Sequence, residues 1–205
     1  FDEENTDVLF KLGLISNILH EFSDAEIYFL ESIYCNEKSK ELFFQLGLAF
    51  GGQKKYLQAL EAFKRALSYS LDDPILHYQL GVIYQELEIY DLSIESYKKY
   101  LKKYSDDPIV YRMIGECFLK LNDFSTSIEY FKKSSDMFNN NDIKSLYSLG
   151  IAYMELKKYE SAAKIFKTGI KLDPDYAIIH YQLIDVYIEL NKLREAKKEC
   201  DILYM

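Results

Sequence analysis

Histidine and cysteine are the residues of this sequence most able to do acid–base or nucleophilic chemistry. Three of each occur, at His20, His77, His180, Cys35, Cys117 and Cys200. A nucleophilic centre pairs a serine or cysteine with a nearby base, and no spacing in the sequence indicates such a pair. Since His77 and His180 fall at one recurring position, described below, we interpret them as packing residues and predict no catalytic site.

Metal and phosphate chemistry are also not expected. The cysteines are far apart, odd in number and without a CxxC spacing, which disfavours a zinc site and a disulfide framework and fits a reducing compartment. Gly51-Gly52 is a lone glycine pair with no lysine at the offset of a phosphate-binding loop. We expect this pair to loosen the end of a helix, and we predict no metal and no cofactor.

The charge balance bears on the class of partner. The 205 residues include 33 acidic and 25 basic side chains, a net charge of −8, whereas nucleic-acid binders usually carry a clustered basic excess. Basic pairs recur at Lys64-Arg65, Lys98-Lys99 and Lys132-Lys133. A glutamate lies four residues before the second member of each pair, which favours a solvated, locally neutralised helix face over a ladder that binds an acidic partner.

Hydropathy gives no sign of a membrane protein. No apolar stretch approaches the ~20 residues that cross a bilayer, so direct membrane insertion is not expected. No signal peptide is visible, and the sequence begins at Phe1, which we interpret as a fragment or a processed chain. A soluble protein is expected, with the cytoplasm favoured over the periplasm or cell envelope.

Glycine marks an internal repeat. Its five copies are separated by 34, 34, 34 and 35 residues, at Gly13, Gly47, Gly81, Gly115 and Gly150, and Ile184 takes the same place 34 residues further on. Counting this glycine as place 0, an apolar residue holds place −1, an aromatic residue or serine place +3, a small residue place +12, and an aromatic residue or cysteine place +16. In the second copy these are Leu46, Phe50, Ala59 and Phe63.

These offsets predict two successive helices, A and B, in every copy. The glycine and the small residue leave room where the two helices cross, and the aromatic residues fill the space on either side. Because glycine costs a helix roughly 1 kcal/mol relative to alanine, its recurrence needs such a packing reason. Asp73-Pro74 and Asp107-Pro108 predict the N-cap and first residue of two A helices.

This pattern resembles the tetratricopeptide repeat family over about residues 6–205. The resemblance implies an all-α fold, a right-handed superhelical solenoid of antiparallel helix pairs, forming a single array over residues 1–205. Its copies are 6–39, 40–73, 74–107, 108–142, 143–176 and 177–205, with the last truncated or uncapped. The family's usual tryptophan, at place −4, is replaced by Leu9, Phe43, His77, Tyr111, Leu146 and His180.

In this family a concave groove is lined by the A helices, including places −3 and +1. Place −3 holds Phe10, Phe44, Tyr78, Arg112, Tyr147 and Tyr181, and place +1 holds Leu14, Leu48, Val82, Glu116, Ile151 and Asp185. The resemblance therefore implies an apolar and aromatic groove, with polar breaks at Arg112/Glu116 and Asp185. Such a groove suits a peptide or a helical segment of another protein. The lysine and asparagine of the clamp that holds acidic chaperone tails are missing from these places.

Alternatives remain at this point. The place −3 rings could pack mainly on a neighbouring helix instead of facing a ligand. The final residues 200–205 are largely apolar, so the alternative function is a structural component that self-associates, or joins a larger complex, through its ends. An RNA-binding helical repeat of similar period is disfavoured by the acidic balance.

Overall fold

The structure, a computed structural model, describes residues 3–35 and 38–204, with side chains from Thr6 onward. Within that part of the chain the secondary structure is helical and includes no strand. The helices are α1 (Glu3–Ile18), α2 (Phe22–Tyr34), α3 (Lys40–Gly52), α4 (Tyr56–Ser68), α5 (Pro74–Glu86), α6 (Tyr90–Leu101), α7 (Pro108–Lys120), α8 (Phe124–Met137), α9 (Ile143–Glu155), α10 (Tyr159–Leu172), α11 (Ala177–Glu189) and α12 (Leu193–Tyr204).

The chain divides into two compact units, Phe1–Lys103 and Tyr104–Met205, each with three helix pairs. Odd-numbered helices are A helices and even-numbered helices are B helices, and each A helix packs on the B helix that follows it. Within each unit, a B helix also packs on the next A helix, as α2 does on α3 and α8 on α9. The all-α class and the antiparallel helix pairs are confirmed, whereas a single continuous array of six copies stays a prediction.

The recurring glycines lie directly beneath an aromatic ring of the B helix in their own repeat. A Cβ placed on Gly47, Gly81 or Gly115 would lie 2.5 to 2.7 Å from a ring carbon of Phe63, Tyr97 or Phe131, respectively. The need for glycine at the crossing is thereby confirmed. The place +16 ring, however, lies on the glycine itself, where we expected it beside the crossing.

These place +16 rings form the centre of each repeat. They are at most 1% exposed, at Phe29, Phe63, Tyr97, Phe131 and Phe166. Full burial of such a side chain contributes roughly 1.5–3 kcal/mol, so the rings are a main source of stability. In the sixth repeat both members change, because Ile184 replaces the glycine and the exposed Cys200 replaces the ring.

The A helices begin with side-chain caps at the predicted sites. Asp73 accepts hydrogen bonds from the backbone N–H groups of Ile75 (2.9 Å) and Leu76 (3.4 Å), and Asp107 caps α7 in the same way. Lys40 donates to Asp73 at 2.6 Å. Burial alone would raise the pKa of Asp73, but the Lys40 hydrogen bond and the capped N–H groups outweigh it and lower that pKa.

Gly51 and Gly52 do not loosen the end of their helix, because α3 continues through Gly52. That prediction was wrong for a packing reason. A Cβ on Gly52 would lie 2.5 Å from the ring of Phe22, so Gly52 admits a side chain of the preceding repeat. A Cβ on Gly51 would meet only Ile83, at 3.8 Å, so Gly51 borders open space.

Each turn from helix A to helix B contains a left-handed residue at place +7, and in none of the six repeats is it glycine. These residues have φ between 54° and 62°, at His20, Lys54, Glu88, Asn122, Lys157 and Asn191. The following N–H bonds the carbonyl five residues earlier, as Lys55 does to Phe50 at 2.9 Å, which completes a Schellman motif. A left-handed residue with a Cβ costs roughly 1–2 kcal/mol, so helix packing holds these turns against strain.

Replacing Glu88 by glycine is expected to raise the free energy of unfolding by about 0.5–1 kcal/mol, because glycine adopts positive φ without the steric cost of a Cβ. Asn122→Gly is the matched control at the same place, and its gain should be smaller since asparagine tolerates this conformation. Urea denaturation followed by circular dichroism measures both. No gain at Glu88, or a larger gain at Asn122, would contradict this account of the turns.

Candidate binding site

The place −3 rings of the first unit are half-buried against their own repeat. The ring of Phe44 lies 5.9 Å from that of Phe63 and is tilted by 59°, and Phe10 packs on Phe29 at the same distance. Each B-helix ring here is the one that covers the crossing glycine. The place −3 rings therefore rest on the repeat core with one side and keep partial exposure on the other.

Tyr78 is held from two sides. Its ring centre lies 6.1 Å from Tyr97 and 5.3 Å from Tyr100, both on α6. The side chain of Tyr78 is therefore half-buried, like those of Phe10 and Phe44. Packing on the neighbouring helix, the alternative left open by the sequence, therefore accounts for part of the surface of these rings.

A pocket of about 260 Å³ opens between α3 and α5 in the first unit. Two residues predicted for the groove, Leu48 and Val82, line it. Gly51 borders it at place +4, where the other A helices carry a side chain, namely Asn17, Gln85, Leu119, Met154 and Ile188. At that place α3 has no side chain to fill the space beside the pocket.

The rim of the pocket is polar. Gln79 and Glu86 line it from α5, and Tyr56 lines it from the start of α4. The Tyr56 hydroxyl bonds Glu86, and that hydrogen bond, together with burial, raises the pKa of Tyr56. The site thus combines an apolar interior with a carboxylate at its edge. Sequence analysis missed these residues, although a glycine at place +4 inside a helix was a usable signal.

The second unit presents a different face at the equivalent places. Arg112 and Glu116 form an ion pair at 2.5 Å, and the Arg112 side chain is only 17% exposed. Its Nε atom is buried without a hydrogen-bond partner and lies 3.8 Å from a carboxylate oxygen of Asp142. The expected polar break is therefore an internally neutralised pair with one unused donor.

The remaining predicted residues of the second unit differ in exposure. Tyr147 and Ile151 are partly buried against the core of α10 and α11. Tyr181 is 58% exposed, and Asp185 is exposed beside it on α11. The structure thus leaves α11 with the most accessible predicted groove residues of this unit.

The basic pairs on the B helices are mostly accounted for within the fold. Arg65 bonds Glu61 at 3.0 Å and Lys99 bonds Glu95 at 2.7 Å, as predicted. Lys133 instead lies over the ring of Tyr111, with its Nζ atom 4.1 Å from the ring centre. Neutralisation and cation–π contacts, not a ladder for an acidic partner, explain these three side chains.

Matches to models of known protein families show which family this sequence belongs to. Two tetratricopeptide repeat models match residues 44–108 and 153–203, which together are more than half of the chain. The chain belongs to the tetratricopeptide repeat family. No curated protein matches it in sequence.

Solved structures show the same repeat fold at low identity. A tetratricopeptide repeat protein from Parabacteroides merdae is 17% identical, with a TM-score of 0.82 over 98% of this chain and 79% of that one. The C-terminal part of a repeat protein from Cytophaga hutchinsonii is 19% identical, with a TM-score of 0.83 over 95% and 77%. MamA from Desulfovibrio magneticus is 17% identical, with a TM-score of 0.78 over 84% and 97%. Such identities establish the fold alone.

The histidines at place −4 of this tetratricopeptide repeat protein are buried and hold loops. His77 Nε2 lies 3.2 Å from the carbonyl oxygen of Leu71, and His180 Nε2 lies 2.9 Å from that of Pro174, in each case six residues upstream. His180 Nδ1 also contacts a carboxylate oxygen of Glu199 at 2.7 Å. Both rings thus tie the segment before their A helix to the repeat.

Neither a metal-binding cluster nor a membrane-spanning helix occurs among the described residues. They contain no group of three or more His, Cys, Asp and Glu side chains able to hold a metal ion. None of their helices is long and apolar enough to cross a membrane.

The burial of His77 is expected to make the stability of the protein depend on pH. Burial lowers the pKa of His77, Lys99 lowers it further, and the Leu71 carbonyl with Asp72 and Asp73 raises it by less. Because the folded-state pKa lies below that of the unfolded state, near 6.5, the unfolded state binds more protons as the solution is acidified. The contribution of neutral His77 is present above that value and is lost as pH falls through the folded pKa.

His77→Phe introduces the residue type found at this place in the second repeat. The free energy of unfolding of this variant is therefore expected to fall less between pH 7 and pH 5 than that of the wild type. Urea denaturation at several pH values measures the difference between wild type and variant, in which titrating groups that do not interact with His77 cancel. Equal slopes in the two proteins would show that burial of His77 does not govern this pH dependence.

Proposed function

We propose that this protein is an interaction scaffold whose A-helix face binds a peptide or helical segment of a partner protein. The observation that carries the proposal is the pocket between α3 and α5, which places Leu48 and Val82 beside the open space at Gly51. Tetratricopeptide repeat proteins are generally non-enzymatic scaffolds for other proteins, which agrees with this role.

The dimensions of the pocket suit one large apolar side chain. Its volume of about 260 Å³ is below the range of a typical small-molecule site, which is roughly 300–1,000 Å³. A leucine, methionine or phenylalanine of a partner would bury its apolar surface against Leu48 and Val82. Each buried CH₂ group contributes roughly 0.8 kcal/mol, so one anchor of this kind is worth a few kcal/mol.

The surroundings favour an extended contact over a single anchor. Phe44 and Tyr78 lie one turn from the pocket residues on α3 and α5 and keep part of their rings exposed. Aromatic side chains offer contact area at a low cost in conformational entropy. Glu86 adds a carboxylate at the rim, which suits a hydrogen-bond donor or a basic group next to the apolar anchor.

Gly51→Leu tests the site without weakening the fold. Leucine at this place would occupy the pocket, whereas it should raise helix stability because leucine is the better helix former by up to about 1 kcal/mol. Proteins retained from a lysate of the source organism by the wild type are expected to be lost by this variant. Calorimetry with a peptide from a retained protein should show a loss in affinity of at least about tenfold, equal to about 1.4 kcal/mol.

Leu57→Glu is the control at a second pocket, which is lined from α2, α3 and α4 and where Leu57 is 72% exposed. It should keep the retained partner and the peptide affinity, and thermal denaturation should show all three proteins folded. Equal binding by the wild type and Gly51→Leu would remove the α3–α5 pocket as the binding site. Loss of binding in Leu57→Glu alone would move the interface to the B-helix surface.

A further inference from the structure

The pocket that is lined from α2, α3 and α4 has a volume of about 400 Å³. Most of its lining residues are apolar, and α3 contributes two buried rings, those of Phe43 and Phe50. Both the first and the second repeat, which form this pocket, lie within the first compact unit. Its volume falls in the range of small-molecule sites, roughly 300–1,000 Å³, whereas the α3–α5 pocket is smaller. This second pocket is therefore large enough for a small molecule.

The fourth repeat fills the equivalent space with a tyrosine. There Tyr130, at place +15, stacks on Phe118 with ring centres 5.4 Å apart and lies 6.2 Å from Tyr111. Phe118 and Tyr111 hold places +3 and −4, which are the places of the two phenylalanines of the pocket. In the second repeat, place +15 is Ala62, which lines the pocket. The two phenylalanine rings thus lack the aromatic cover that Tyr130 supplies in the fourth repeat.

A second cover found between other repeats is also missing. At place +17 a lysine lies over the place +3 ring of the next repeat, with its Nζ atom 5.3 to 5.9 Å from the ring centre, at Lys64, Lys132 and Lys167. In the first repeat this place is Leu30, which is 45% exposed and lines the pocket together with Phe50. Lys55 lies 6.0 Å from the Phe50 ring centre, but it is bonded to Glu26 and does not line the pocket.

The edge of the pocket is apolar where the other repeats are polar. Place +10 of the second repeat is the exposed Leu57, whereas the other five repeats have Ser23, Asp91, Ser125, Glu160 and Arg194. The third repeat also has a small residue at place +15, Ser96, but there a lysine covers the place +3 ring. Leu30, Leu57 and Ala62 therefore combine at one pocket. Because exposed apolar surface is unfavourable in water, this combination points to an apolar ligand.

One charged side chain is held beside these apolar residues. Arg65 lines the pocket, its Cζ atom lies 5.7 Å from the centre of the Phe43 ring, and its Nε–H donates to Glu61 at 3.0 Å. An arginine has five N–H donors, so its terminal N–H groups can bind a carboxylate, which the planar guanidinium fits well. The Glu61 side chain is 65% exposed, so solvent screens its repulsion of a second carboxylate.

We propose that this pocket binds a medium-chain fatty acid, with the alkyl chain against Leu30, Leu57 and Ala62 and the carboxylate on Arg65. The alkyl chain covers the apolar surface that a lysine or a tyrosine covers in other repeats. The charge of Arg65 sets the sign of the head group. The site shares no lining residue with the α3–α5 pocket, apart from the helix α3 itself, so it does not depend on the proposed peptide-binding role.

The test is isothermal titration calorimetry of the 205-residue chain with decanoate and octanoate. Decanoate is expected to bind at one site, and octanoate should bind about fifteenfold more weakly, the factor for two fewer buried CH₂ groups. Leu30→Gln makes place +17 polar without adding charge, and Ala62→Tyr introduces the residue type of the fourth repeat. Each should weaken decanoate binding at least about tenfold, and circular dichroism should show both variants folded.

A matched pair of charge variants tests the head group. Arg65→Gln should weaken decanoate binding about threefold to tenfold, because a hydrogen bond to a charged group is lost. Lys64→Gln removes the same charge from the neighbouring residue, which lies over Tyr84 and does not line the pocket. This control should bind decanoate like the wild type. Equal losses in the two variants would show a general effect of charge and would contradict the contact with Arg65.

Gly51→Leu, which fills the α3–α5 pocket, should bind decanoate like the wild type, so the two proposals can fail separately. No binding of decanoate, or equal binding of decanoate and octanoate, would overturn the fatty-acid site. Binding that is unchanged in both folded variants, Leu30→Gln and Ala62→Tyr, would place the ligand elsewhere and would also overturn it. A protein partner lost by Leu57→Glu, with no binding of decanoate, would show that the pocket receives a protein segment instead.

Discussion

The contact between a glycine and an aromatic ring at the helix crossing of the first five repeats is the constraint on which the rest of the structure depends. With no side chain on Gly47, the ring of Phe63 approaches α3 so closely that a Cβ there would come within 2.6 Å of it. The close approach of helices A and B in such a repeat therefore depends on the fit between this glycine and this ring. The same ring supports Phe44 at 5.9 Å on the exposed side, so the crossing also positions a residue of the predicted groove.

Two glycines of α3, Gly47 and Gly51, have different roles. Gly47 is required because its space is filled by Phe63, whereas Gly51 adjoins space that only Ile83 approaches, at 3.8 Å. Helix α3 therefore bears the entropic cost of two glycines four residues apart for different reasons. The first keeps the repeat together and the second opens a pocket, which links the packing of the repeat to the proposed binding role.

Sequence patterns were sufficient for features that repeat within one helix pair. The glycine period, the caps at Asp73 and Asp107, and the order of helices follow from local spacing and helix chemistry. Contacts between residues of different repeats could not be predicted in the same way. The contact between Gly52 and Phe22 is one example, because neither residue departs from the repeat pattern in a way that reveals a partner thirty residues away.

The groove illustrates the same limit. Family analogy named Leu48 and Val82 as neighbours in a groove, and both line the α3–α5 pocket. Family analogy did not name Gln79 and Glu86. Both residues lie on α5 and border the pocket, beside Gly51, where α3 has no side chain. The sequence indicated a polar break at Arg112 and Glu116, but the ion pair between these partly buried side chains could be seen only in the structure.

A double-mutant cycle between Gly47 and Phe63 tests the central constraint most directly. Gly47→Ala should lower the free energy of unfolding by about 1–3 kcal/mol through overpacking. In the Phe63→Leu background the same change should cost much less, because the ring that it strikes is gone, and the coupling free energy should exceed about 1 kcal/mol. Gly51→Ala, in the same helix but beside open space, measures the ordinary effect of alanine. If the costs of Gly47→Ala and Phe63→Leu simply add, the ring does not set the crossing and the account is contradicted.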